Sequence, residues 1–71
     1  MSAQDYEVAI RPLDPADGGG FIATVSELPG CFSDGDTPEE ALRNAYDAIG
    51  CSIEAALEMG RAIPEPRRAA A

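Results

Sequence analysis

Three carboxylates have the spacing to do chemistry. Asp34 and Asp36 are separated by one residue, and Glu27 lies upstream among turn-forming residues. Clustered carboxylates are what hydrolases use to hold two metal ions, so the set raises metal-dependent hydrolysis as one reading. The same residues have ordinary structural uses. Asp34 adjoins Gly35 in a turn and Asp36 directly precedes a helix cap, both common places for Asp. The structural use is favoured, hydrolysis stays a distant alternative, and no enzyme, metal or cofactor is expected.

Other chemistry is sparse. The chain has no histidine, the commonest general base and metal ligand. Without such a base near it, Cys31 reads as a small buried apolar residue. Cys51 falls among charged residues on the outer face of a helix. An exposed free thiol is a liability, so the expectation is that a second protomer covers it. Gly18, Gly19 and Gly20 precede a strand, but no Gly-Lys-Ser/Thr follows and no helix opens there. They read as a hairpin turn, not a phosphate cradle.

The element that positions most of these residues is one long helix. Thr37 is a good N-cap, Pro38 suits the first helical position, and Glu40 completes a capping box in which each side chain satisfies the other's backbone donor. Asp36, Glu39 and Glu40 bring negative charge to the positive end of the helix dipole. Leu42, Ala45, Tyr46, Ile49, Ile53, Ala56 and Leu57 recur at three- and four-residue steps and form the expected buried face. Glu40, Arg43, Asn44, Asp47, Glu54 and Glu58 occupy the opposite face, with Cys51 in its middle. A flank of small residues, Ala41, Ala48, Ser52 and Ala55, runs between them and ends in Met59. Ala48, Cys51, Ser52 and Ala55 are the expected contact with a second protomer. Gly60 can stop the helix in the left-handed conformation, and Pro64 and Pro66 keep it from resuming.

Ahead of the helix the pattern is β. Tyr6 to Arg11 alternates apolar and polar residues, and Pro12 ends that strand or marks it as an edge. After the turn region from Leu13 to Gly20, Phe21 to Ser26 returns antiparallel, with Phe21, Ala23 and Val25 on one face. Glu27-Leu28-Pro29-Gly30 is a second turn and Cys31 to Ser33 a short third strand, closed by Asp34-Gly35. The expected fold is α+β: a three-stranded or four-stranded, mostly antiparallel sheet with little sequence left after the helix for the fourth strand, and the one long helix packed on one sheet face in the order β-β-β-α(-β). Residues 1–71 form one domain, with 1–5 as a flexible lead and 67–71 as a tail.

Composition bounds the function. A chain of 71 residues buries only about 60% of its unfolded surface, so oligomerisation, as a homodimer or higher, is the expected support. Two cysteines and no apolar N-terminal segment argue against a disulfide framework and for a cytoplasmic protein. No apolar run is long enough for a bilayer. The net charge is −8, with five arginines and no lysine, which disfavours direct nucleic-acid or membrane binding and favours a basic protein partner.

The residues also carry a family pattern. Gly19-Gly20-Phe21-Ile22-Ala23 leads to Glu27-Leu28-Pro29-Gly30-Cys31. Ser33-Asp34-Gly35-Asp36-Thr37-Pro38-Glu39-Glu40-Ala41-Leu42 follows, then Asn44-Ala45, Ala48-Ile49 and Ile63-Pro64-Glu65-Pro66. In order and spacing this resembles the N-terminal domain of the HicB-like antitoxins, over roughly residues 5 to 66. The resemblance implies a partial ribonuclease-H-like fold without nuclease activity. It also implies a partner, a small basic HicA-type toxin that cleaves messenger RNA, met here by Glu27, Asp34 and Asp36. Family members usually continue into a C-terminal DNA-binding domain, which these 71 residues do not contain. A solitary structural or regulatory homo-oligomer that has lost its toxin is the alternative.

Overall fold

The computed structural model describes residues 3–66. A single 3-10 turn, Ala3–Asp5, leads into strand β1 (Val8–Pro12). A second, Pro15–Asp17, is capped by Asp14 and leads into β2 (Phe21–Val25), followed by β3 (Phe32–Gly35) and helix α1 (Pro38–Met59). The strands form one antiparallel sheet in the order β1-β2-β3, with α1 across one face. This is the expected α+β fold. Among the described residues the sheet has three strands, and 61–66 adds no fourth. The tail expected at 67–71 lies outside the described residues.

Hydrogen-bond alternation explains why Pro12 is tolerated. Leu13 N donates to Gly20 O, so Leu13 and Gly20 are a bonded pair and the next bonded pair is Arg11 with Ile22. Pro12, opposite Phe21, turns its nitrogen outward at the sheet edge, where a missing N–H breaks no ladder bond. At the other edge, Val25 N donates to Cys31 O, so Phe32 and Asp34 turn their peptide groups outward. Asn44, on α1, caps that edge by donating from Nδ2 to the Asp34 carbonyl at 2.8 Å.

The third strand differs from expectation. Asp34 and Gly35 are not a closing turn but the second half of β3, paired with Ile22 and Phe21. Their turn-forming chemistry is local, and pairing along β2 overrides it. The first strand likewise starts at Val8, because Tyr6 leaves the sheet line to enter the core.

The helix seats its first turns closely on the sheet. Ala41 and Ala45, both fully buried, meet Ala23, also fully buried. The wider end of the core joins Tyr6, Val25, Leu28 and Ile49. Two helix assignments need correction. Ala41 belongs to the core and not to a flank, and Leu57 is 68% exposed instead of buried. At 1.5 Å per residue the 22-residue helix is about 33 Å long, whereas five-residue strands reach about 17 Å. The last turns therefore overhang the sheet, and periodicity alone cannot show where the support ends.

Candidate functional site

The helix start is built as read, with one change of partner. Thr37 Oγ1 accepts from Glu40 N at 3.1 Å, and Pro38 occupies the first turn. Glu40 Oε1 accepts from Asp36 N at 2.9 Å, not from the N–H of Thr37, so the box reaches one residue further back. Gly60 closes the helix at φ 68°, and its N–H donates to the last-turn carbonyls.

This geometry divides the three carboxylates. Asp34 is exposed on β3, and Asp36 is exposed at the junction with α1, beside exposed Glu39 and Glu40. The acidic end thus coincides with the helix N-terminus. Glu27 instead follows β2 in the turn at the opposite end of the hairpin. The bonded pairs Val25–Cys31 and Phe21–Gly35 mark those two ends, four residue steps or about 13 Å apart. Among the described residues no group of three or more carboxylates, cysteines or histidines is placed to hold a metal ion.

Glu27 belongs to a second acidic end around Tyr6. The tyrosine is 2% exposed, and its hydroxyl donates to the carbonyl of Pro64 at 2.5 Å, tying the chain beyond the helix back to the sheet. Burial pushes its phenol above the ordinary 10.0, and the negative charges of Glu27, Glu65 and Asp5 push it further. Glu27 Oε2 accepts from Ser26 Oγ at 2.6 Å, while Oε1 is buried with no hydrogen-bond partner among the described residues. The alternating pattern read Tyr6 as the apolar first residue of a strand. Its bond to a residue 58 positions away has no local signal.

A groove of about 400 Å³ lies between the turn after β2 and the overhanging end of α1. Leu28, Pro29 and Gly30 form one wall, and Ser52, Ala55 and Met59 another. Cys31 lines the groove half-buried, not buried as expected, and its Sγ accepts a hydrogen bond from Ser52 Oγ at 3.9 Å. Of the residues expected to meet a second protomer, Ser52 and Ala55 face this groove. Ala48 is half-buried and Cys51 exposed. Gly20 and Gly35 serve close approach. A Cβ on Gly20 would lie 2.7 Å from the Gly35 carbonyl oxygen, and one on Gly35 would lie 2.6 Å from Ala41 N. No helix among the described residues is long and apolar enough to cross a membrane.

Comparison with known proteins places the sequence. A family model described as HicB_like antitoxin of bacterial toxin-antitoxin system matches residues 6–71. An uncharacterized 14.9 kDa protein in the rep-hol intergenic region of Haemophilus phage HP1 is 46% identical over 60 residues, 84% of this chain and 42% of the relative. Antitoxin HicB 1 of Photorhabdus laumondii is 37% identical over 54 residues, 76% of this chain and 35% of that protein. A UPF0150 protein of Thermoplasma acidophilum is 41% identical over 46 residues, 65% of this chain and 67% of the relative. The chain thus spans well under half the length of the first two. No solved structure matches it. With the capped helix, the Leu28-Pro29-Gly30-Cys31 turn and the three-stranded sheet in place, the match over nearly its whole length means that the chain belongs to the HicB-like antitoxin family of bacterial toxin-antitoxin systems.

Proposed function

We propose that the chain is a cytoplasmic, non-enzymatic antitoxin module that binds and masks a small basic toxin of the HicA type. Membership of the antitoxin family is the observation that carries the reading. The charge supports it: 13 acidic against five basic residues make a surface that attracts a cationic partner and repels phosphate backbones. A partial ribonuclease-H-like ancestry accords with one helix on a small antiparallel sheet. Asp34, exposed on β3, and Asp36, exposed at the helix start, form the principal contact. Glu27, at the far end, is a separate contact that a partner reaches only by spanning the hairpin. The exposed charges of Asp34 and Asp36 act mainly on association rate and its salt dependence.

The test begins with tagged chain in the native host at moderate salt and intact-mass analysis of what co-purifies. A small, strongly basic protein at fixed stoichiometry is expected. Recombined as pure components, Asp34→Lys/Asp36→Lys should bind it at least about tenfold more weakly, through slower association. Bait recovered alone as a defined oligomer would overturn the toxin reading and favour the solitary homo-oligomer. Unchanged affinity in the double variant would remove the acidic helix start from the interface.

A further inference from the structure

We propose that the sheet face opposite the helix is a self-complementary docking surface for a second copy of this chain. The helix covers one face only, and the molecule is 17 Å along its shortest axis, the depth of one sheet and one helix. Strand alternation turns Ala9 and Arg11 of β1, Ile22 and Thr24 of β2, and Phe32 and Asp34 of β3 toward the other side.

The register arranges these six in two cross-strand rows. Arg11, Ile22 and Asp34 form one, and Ala9, Thr24 and Phe32 the other. A two-fold axis along β2, midway between two such sheets, reverses each row and keeps its centre. Ile22 then faces Ile22 and Thr24 faces Thr24. Arg11 of each copy lies over Asp34 of the other, and Phe32, 63% exposed here, lies over the small Ala9. Charge meets opposite charge and the largest side chain meets the smallest, as an isologous interface requires. Aligned face-to-face packing of sheets about 10 Å apart provides the geometry. These rows balance one positive against one negative charge on a chain of net charge −8, so they add no net charge of their own to the repulsion between copies.

The strands span an area of about 17 by 14 Å. That is well below the roughly 800 Å² per partner of a standard interface, so the dimer is weak and forms with rising concentration. This surface goes beyond toxin masking, with which it shares Asp34 alone. It also differs from the helix contact expected at Ala48, Cys51, Ser52 and Ala55.

Sedimentation velocity across a concentration series tests it, with circular dichroism confirming that each variant is folded. The wild-type chain should shift from monomer to dimer. Arg11→Asp and Asp34→Arg each set like charges face to face twice, so each should weaken the dimer by about tenfold or more. An equimolar mixture of the two variants restores both opposite-charge contacts and should dimerise like the wild type. A wild-type monomer at all concentrations overturns the proposal, as does a dimer indifferent to both reversals or single losses that mixing fails to repair. Loss of the dimer in Cys51→Glu, with Arg11→Asp unaffected, assigns self-association to the helix instead.

Discussion

Helix α1 comes so close to Gly35 of β3 that the sign of an added methyl group's effect is predictable. A Cβ on Gly35 would lie 2.6 Å from Ala41 N, 2.9 Å from Glu40 C and 2.9 Å from Glu40 Cβ. Carbon contacts are comfortable near 3.5–4.0 Å, so the first turn of α1 would have to lift from β3 by a large part of an ångström. Two of the three atoms are backbone and cannot rotate away. Overpacking costs about 1–3 kcal/mol, and the upper part of that range applies here. A domain of 71 residues holds about 4–11 kcal/mol in all. Gly35→Ala should therefore lower Tm by about 10–20 °C. Gly50, in the same helix, would place its Cβ within 4 Å of nothing. Gly50→Ala should stabilise by about 0.5–1 kcal/mol, because alanine loses less backbone entropy in a helix. Thermal and urea unfolding followed by circular dichroism reads both variants. If they move stability in the same direction, or if Gly35→Ala is neutral, the helix start does not sit where the structure puts it.

Two further perturbations test other joints. Thr37→Ala should cost about 1 kcal/mol by stranding the Glu40 N–H, and Thr37→Ser should recover most of it in the same unfolding assay. Tyr6→Phe should cost about 1 kcal/mol at neutral pH through the lost bond to the Pro64 carbonyl. The Tyr6 phenol is raised above 10.0 by burial first and by Glu27, Glu65 and Asp5 after it, so folding favours the neutral form. Its contribution is complete below the unfolded pKa near 10 and is lost as pH rises through the folded value. Wild-type stability should fall more steeply than that of Tyr6→Phe above pH 10, and parallel profiles would contradict the assignment.

The parts of the fold legible in sequence are those whose chemistry is local. Thr37, Pro38 and Gly60 bound the helix by cap and turn requirements that involve only near neighbours, and the helix runs between them as read. Pro12 announced an edge strand for an equally local reason. Where distant pairing competes, local signals mislead. Asp34 and Gly35 have turn chemistry yet lie in β3, because β2 supplies partners for them. Helical periodicity gave the phase of the apolar stripe but not its support, so Leu57 was placed inside and Ala41 outside. Closeness in sequence also suggested one acidic set, whereas the hairpin sends Glu27 to the end opposite Asp36. The six residues of the open sheet face are scattered over three strands of the sequence. They become a surface only once the register puts Arg11, Ile22 and Asp34 in line.

The two sheet edges govern how this molecule can aggregate. Pro12 leaves no donor at its position on one edge, and Asn44 occupies the Asp34 acceptor on the other. A foreign strand arriving at either side finds the ladder interrupted, so growth by strand addition, the route to fibrils, has no clean template. The sheet can be covered by another layer but is poorly suited to being lengthened. For a small domain this keeps contacts between copies finite.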